Sequence, residues 1–177
     1  MRRYVILSQI VAFSLALFLL ESMIPLPFMA PGAKLGLSQI ATVFTLYYFS
    51  SRDAFIVLTA RAVLSSFFFG GPGVFVYSII GGLISLCGMI ILKRTGKFSC
   101  VSVSATGGFL HNLGQLFVAS IFMESAKFFY YLPILGVIGV ATGIVIGFIA
   151  NELLKKIKLT KFDNSGTPPY PPLGGGQ

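Results

Sequence analysis

The chain has 177 residues, and its mean hydropathy is +0.89 with only 10% charged residues. A soluble domain carries about 25% charged residues, so this composition excludes a water-facing globular surface and indicates a membrane protein with room for one compact bundle. The formal net charge is +8, but the basic residues lie in short loops without a groove-reading motif, which argues against nucleic-acid binding.

Six apolar stretches follow one another along the chain. A transmembrane helix needs about 20 apolar residues, and breaks rich in Gly, Pro and charge separate the successive stretches. The predicted helices cover residues 4–24, 35–50, 54–70, 74–92, 99–123 and 130–151. We therefore predict an all-α membrane protein with six transmembrane helices in one domain over residues 1–161. Residues 162–177 are predicted to be a disordered tail or an appended remnant.

The basic residues predict the orientation of these helices. With the N-terminus in the cytoplasm, ten basic residues fall on the cytoplasmic side, whereas Lys34 and Lys127 alone fall outside and Arg61 falls within a helix. Cytoplasmic loops are enriched in Lys and Arg, so both termini are predicted to be cytoplasmic, in a multi-pass protein of a bacterial cell membrane. The ten residues are Arg2, Arg3, Arg52, Lys93, Arg94, Lys97, Lys155, Lys156, Lys158 and Lys161.

Small residues recur at four-residue spacing on two predicted helices. Gly139, Gly143 and Gly147 form a stripe on the sixth helix, where a neighbouring backbone can approach closely. We interpret this stripe as internal packing. Ala12 and Ala16 belong to a similar stripe on the first helix, and the residues alone leave open whether it packs inside the bundle or binds a partner.

The chain has few residues that could bind a metal or act in acid–base catalysis. A single His and two Cys without ligand spacing argue against a zinc site. The five acidic residues fall at the predicted helix ends or in the tail, so we expect no carboxylate at the depth of Arg61. No P-loop or nucleotide fingerprint is present. We therefore expect neither a metal nor another cofactor.

The chain contains the segments PGAKLGLSQIATVFTLYYF, LTARAVLSSFFFGG and HNLGQL. They closely resemble the small membrane proteins called Gx transporters, also named heptaprenyl diphosphate synthase component I, over about residues 5–155. That family is similar to the substrate-binding S components of energy-coupling-factor (ECF) transporters. The resemblance implies an S-component-like bundle with an outward-facing pocket, together with a T component and ATPases as partners. It also implies that Ala12 and Ala16 match the Ala-x-x-x-Ala motif that docks the T component.

The synthase name does not agree with the aspartate content. Prenyl synthases hold Mg²⁺ and a diphosphate with aspartate-rich motifs, because a hard cation needs clustered oxygen ligands. This chain has only Asp53 and Asp163. We therefore predict that it is not an enzyme and is at most an accessory subunit of a prenyl synthase. Residues 102–108 faintly resemble flavin-attachment sites, but helix packing explains these small residues better.

Several polar residues share a similar predicted depth on three helices. An arginine at mid-membrane costs several kcal/mol unless it is paired or hydrated. These residues either satisfy one another as a structural network or line a ligand cavity open to the outside, and the basic groups favour an anionic or amphiphilic ligand. The candidate substrate-binding residues are Lys34, Gln39, Arg61, His111, Asn112 and Gln115.

We predict an S-component-like membrane protein that takes up a small ligand with an energising partner. Isoprenoid or quinone precursors and flavin-like vitamins are all compatible with its aromatic and basic residues. The alternative is a membrane accessory subunit, component I, of heptaprenyl diphosphate or quinone synthesis, or of a quinone-linked flavin electron-transfer system. Its partners would then be prenyl synthase or redox subunits. A third possibility is a structural subunit without a ligand.

Overall fold

A computed structural model describes residues 2–23, 36–69 and 71–165 of the chain, and this part contains no β-strand. Three segments, Arg3–Ser22, Gly71–Arg94 and Ala126–Ile157, are long and apolar enough to cross a membrane. The predicted all-helical membrane protein is confirmed at this level, while six crossings stay a prediction. The helices are α1 (Arg2–Ser22), α2 (Gln39–Tyr48), α3 (Ser51–Phe69), α4 (Gly71–Arg94), α5 (Cys100–Phe122) and α6 (Leu132–Ser165), with a 3₁₀ helix over Ala126–Tyr131.

Helix α2 is much shorter than the apolar run that contains it. Its 10 residues span about 15 Å at 1.5 Å per residue, whereas the hydrocarbon core of a bilayer is about 30 Å thick. Gly36 has a φ of 86°, a left-handed conformation that an α-helix does not accept. The helix therefore begins only at Gln39, and α2 alone cannot cross the bilayer.

Helices α5 and α6 pack closely through glycines. A Cβ atom on Gly139 would lie 2.6 Å from the Gly108 carbonyl oxygen, and one on Gly147 would lie 2.7 Å from the Val101 Cα. A Cβ on Gly143 would lie 2.6 Å from the Ser104 carbonyl oxygen. Real Cβ atoms do not approach backbone this closely, so the glycine stripe serves internal packing, as predicted.

Polar contacts bring four helix ends together. Arg3 of α1 donates to both carboxylate oxygens of Asp53 at the start of α3, at 2.7 and 2.6 Å. Lys93 at the end of α4 donates to the carbonyl of Leu46 near the end of α2 and lies 5.0 Å from the centre of the Tyr47 ring. We call this the basic end of the bundle. It collects residues predicted to be cytoplasmic, although its side of the membrane stays a prediction.

Helix α1 turns one face inward and leaves the other uncovered. Its buried side chains include Leu7, Val11 and Phe18, and the helix packs on α2 and α3. Ala12 and Ala16 are both exposed. Leu7, Val11 and Phe18 fill the face toward α2 and α3, so packing within the described residues does not engage Ala12 and Ala16. Docking of a partner on these two residues stays a prediction.

Candidate functional site

Five of the six predicted ligand-binding residues are buried inside the bundle. The sixth, Lys34, lies outside the described residues and stays a prediction. The exposed fraction of each buried residue is 5% or less. These residues are Gln39 on α2, Arg61 on α3, and His111, Asn112 and Gln115 on α5.

The buried charge of Arg61 is compensated by groups from two neighbouring segments. Its Nη1 donates to the Ser38 hydroxyl, while the Ser38 carbonyl accepts a hydrogen bond from Ser14 of α1 at 3.1 Å. The buried carboxylate of Glu21, at the end of α1, lies close enough for its charge to act on the guanidinium. Glu21 also accepts a hydrogen bond from the Gly36 amide at 2.5 Å.

The expectation that no carboxylate reaches the depth of Arg61 is therefore wrong. Glu21 lies three residues after Phe18 on the buried face of α1, so it points into the bundle and not toward the solvent beyond the helix end. The turn at Gly36 brings the start of α2 against this carboxylate. A signal was present in the sequence, because Glu21 continues the spacing of Leu7, Val11 and Phe18.

A second group of contacts connects α2, α4 and α5. The Gln115 amide and the His111 ring are hydrogen-bonded through their Nε2 atoms at 3.1 Å. Gln39 donates to the Ser85 hydroxyl, and Ser85 donates to the Gly107 carbonyl at 2.8 Å. These bonds connect Gln39 of α2 through Ser85 of α4 to the backbone of α5.

Gly36 joins these contacts to those of Arg61. A Cβ atom on Gly36 would lie 3.3 Å from Cδ2 of His111 and 3.5 Å from Oε1 of Gln39. The charge of Arg61 also acts on the His111 ring. Glu21, Gly36, Arg61, His111 and Gln39 thus form one connected region, which we call the polar cluster together with Ser38, Ser85 and Gln115.

Asn112 faces a different neighbour from the rest of the predicted site. Its Nδ2 donates to the Leu135 carbonyl of α6 at 2.7 Å, and a Cβ on Gly139 would lie 2.7 Å from the same nitrogen. The structure therefore places this amide at the α5–α6 contact. Asn112 and Gln115 are three residues apart and so lie on one side of α5, but that side is wide enough to meet two different helices.

The polar cluster is suited to hydrogen bonding and holds an unused donor. Within the described residues, Arg61 Nε is buried without a hydrogen-bond partner. An unmet buried donor costs about 1–3 kcal/mol, and a ligand acceptor would remove that cost. The described part of the chain contains no group of three metal-ligating side chains. Arg61 Nε is thus a donor that the described residues leave unmet, and the described part of the cluster offers no ready metal centre.

A known protein family matches this chain over most of the helices described above. Residues 10–153 match the family described as heptaprenyl diphosphate synthase component I. The chain belongs to this family. Comparisons with curated proteins and with solved structures find no match.

The matched range extends from α1 into α6 and contains every predicted site residue. The family named in the resemblance is thereby confirmed, whereas the likeness to ECF S components stays a prediction. The description names a component of a synthase, in agreement with a chain that is at most a subunit of a prenyl diphosphate synthase. Sequence reasoning missed Ser38 and Ser85 because an isolated serine in an apolar helix gives no pattern to detect.

Proposed function

We propose that this chain is the membrane-embedded accessory subunit of a heptaprenyl diphosphate synthase. The match of residues 10–153 to the component I family carries the proposal. The three long apolar helices support a place in the membrane. The aspartate content supports a non-catalytic role, since the chain has only two aspartates and Asp53 is already bound by Arg3 and Ser50.

The exposed face of α1 is the surface that we propose for the catalytic partner. Ala12 and Ala16 are exposed one turn apart, and small side chains let a second helix approach closely in a membrane. The partner would carry the aspartate-rich motifs that bind Mg²⁺ and the diphosphate. The accessory subunit would hold that partner at the bilayer, where a long prenyl product partitions.

Co-purification tests this role directly. The chain is expressed with an aspartate-rich prenyl diphosphate synthase subunit, and the recovered complex is assayed for membrane-associated synthesis. Replacing both Ala12 and Ala16 by Leu is expected to lower recovery of the subunit by about tenfold, a loss of ~1.4 kcal/mol. Ala141→Leu, at an exposed position on α6, is the control and should leave recovery unchanged. Undiminished recovery with the double variant would overturn the docking surface.

A second candidate function is S-component-like uptake of a small anionic or amphiphilic ligand, with an ECF T component and ATPases. The buried polar cluster favours it, because Arg61 Nε has no hydrogen-bond partner among the described residues. The ligand would contact Gln39, Arg61, His111 and Gln115, with Lys34 and Asn112 as further contacts. We propose that the ligand enters from the external side.

Tagged protein from native membranes distinguishes these functions through its partners. Recovery of a prenyl synthase subunit supports the first proposal, and recovery of a T component with ATPases supports the second. Redox or flavin-transfer subunits would instead favour the quinone-linked electron-transfer alternative. Native mass spectrometry of the same sample detects a small molecule bound to the polar cluster, and its loss in Gln115→Leu would locate it there.

A further inference from the structure

One face of α1 is left exposed by the described part of the chain along almost the whole helix. Its residues follow one another at alternating intervals of four and three, and every one of them is exposed. This is the heptad spacing with which two helices pack side by side in a left-handed coiled coil. The face, which we call the α1 seam, consists of Val5, Gln9, Ala12, Ala16, Leu19 and Met23.

The bundle occupies the opposite side of the same helix. Leu7, Ser14 and Glu21 are buried and follow one another at intervals of seven residues. In the heptad of the α1 seam, these three residues hold the position that points away from the seam. Within the described residues, α1 packs on α2 and α3 alone. The packing that builds the bundle therefore leaves the α1 seam available to a further helix.

Gln9 is the polar residue of the α1 seam. Its side chain is exposed and has no hydrogen-bond partner among the described residues. It lies six residues after Arg3, about 9 Å along the helix, within the segment Arg3–Ser22 that is long and apolar enough to cross a membrane. Hydrocarbon offers no hydrogen bond to an amide. The Gln9 side chain is thus suited to a partner on another helix.

A second copy of α1 supplies that partner at the required depth. An amide carries both an acceptor oxygen and an NH₂ donor, so two Gln9 side chains can bond each other across a two-fold axis. Copies with the same orientation hold Gln9 at the same depth, whereas an unrelated helix would need its own polar residue there. Ala12 and Ala16 follow Gln9 in the seam, and small residues let two backbones approach closely.

We propose that this chain forms a parallel dimer in which the α1 seams of two copies pack together and Gln9 bonds its equivalent. A single polar residue in such a seam fixes the register and the number of helices. The pairing itself does not depend on the accessory role. A second step rests on that proposed function: the catalytic subunit, which would bind Ala12 and Ala16, displaces the second copy from the same face.

Cysteine cross-linking along α1 tests the pairing. The full chain, with Cys87 and Cys100 replaced by Ser, is placed at low density in phosphatidylcholine vesicles and oxidised with copper phenanthroline. The seam variants, seven residues apart, are Val5→Cys, Ala12→Cys and Leu19→Cys. The matched controls, each exposed and one residue further along the helix, are Ile6→Cys, Phe13→Cys and Leu20→Cys.

The seam variants should form disulfide-linked dimers about tenfold faster than the controls. The reason is that consecutive helical residues point about 100° apart, and a disulfide needs its two Cβ atoms close together. Ile6 and Phe13 instead line an apolar groove beside α2 and α6. Equal rates in the two sets, or no cross-linking in the seam set, would overturn the dimer.

Substitutions of Gln9 test the hydrogen bond across the two-fold axis. In the Ala12→Cys background, Gln9→Leu should lower the cross-linked fraction about tenfold while leaving the melting temperature of the monomer unchanged. Gln9→Asn keeps an amide and should retain most of the cross-linking. An undiminished cross-linked fraction in Gln9→Leu would overturn the pairing through Gln9.

Recovery of the catalytic subunit separates this inference from the accessory role. If the seam cross-links but no synthase subunit is recovered, the accessory role fails and the dimer stands. If the subunit is recovered but the seam does not cross-link, the dimer fails and the accessory role stands. Adding the subunit to Leu19→Cys should lower cross-linking about tenfold, and undiminished cross-linking in the recovered complex would overturn the displacement.

Discussion

At the scale of single residues, the buried guanidinium of Arg61 is the most demanding group in the bundle. Its exposed fraction is 3%, as is that of Glu21, and an uncompensated charge at such a position costs several kcal/mol. The Ser38 hydroxyl accepts one hydrogen bond from Arg61, and the negative charge of Glu21 offsets the positive charge of Arg61. The balance of these two charges determines how the site responds to substitution.

The first prediction concerns this charge balance. Glu21→Gln leaves the Arg61 charge buried without its partner, so the variant should lose about 3–5 kcal/mol of stability and unfold at a clearly lower temperature in detergent. Adding Arg61→Met removes the remaining charge and should restore most of the loss. Additive effects of the two substitutions would show that the charges do not interact.

The second prediction uses the ion pair at the basic end. Asp53 precedes the predicted membrane segment 54–70. Burial alone raises the pKa of Asp53, but hydrogen bonds from Ser50 and Arg3 and the Arg3 charge outweigh it and lower the pKa. The ion pair therefore contributes its full stabilisation at pH values above the unfolded-state pKa of an aspartate, about 3.9. This contribution is lost as the pH falls through the lower pKa that Asp53 has in the folded protein. Melting curves of the wild type and of Asp53→Asn should converge as the sample is acidified from pH 6. Parallel curves down to pH 3 would contradict this.

At the scale of elements, the glycine contacts fix how closely α5 and α6 approach. The four-residue spacing of Gly139, Gly143 and Gly147 predicted this packing because helical periodicity is a local property of sequence. The length of α2 was not predictable in the same way. Its apolar run continues through Gly36, but Gly36 has a φ of 86° and its amide donates to Glu21, so the helix begins only after this residue.

The third prediction tests the α5–α6 contact with two matched substitutions. A Cβ on Gly108 would lie 2.0 Å from the Gly139 carbonyl oxygen, whereas a Cβ on Gly73 would meet nothing within 4 Å. Gly108→Ala should therefore cost about 1–3 kcal/mol through overpacking against backbone. Gly73→Ala should be neutral or slightly stabilising. Equal melting temperatures for the two variants would contradict the observed helix separation.

At the scale of the whole molecule, composition and hydropathy predicted the helical membrane protein, and the quoted segments predicted its family. The same patterns predicted that Arg61, His111 and Gln115 would be buried together. The spacing on α1 indicated that Glu21 faces the bundle, but not that it lies beside Arg61, and no sequence pattern indicated the apolar groove between α1, α2 and α6. Both depend on contacts between helices that are distant in sequence, and on the short α2 that leaves space between α1 and α6.

The fourth prediction concerns the orientation of the bundle in the membrane. In a cysteine-free background with Cys87 and Cys100 replaced by Ser, Thr95→Cys should react with an impermeant thiol reagent only from the cytoplasm. Lys127→Cys should react only from outside, because basic loops are retained in the cytoplasm. Both positions are exposed. Labelling of both from the same side would contradict the six-crossing arrangement.

Ser38 contacts both α1 and α3, because its carbonyl oxygen and its hydroxyl oxygen each accept a hydrogen bond. Its carbonyl accepts from Ser14 of α1 and its hydroxyl accepts from Arg61 of α3. Helix α1 is thus held at two points: near its start by the Arg3–Asp53 ion pair, and beyond its middle by the Ser14–Ser38 hydrogen bond. A displacement of α1 along its axis would therefore act on the same residue that accepts the Arg61 hydrogen bond, and Ser38 thus connects α1 to the buried guanidinium.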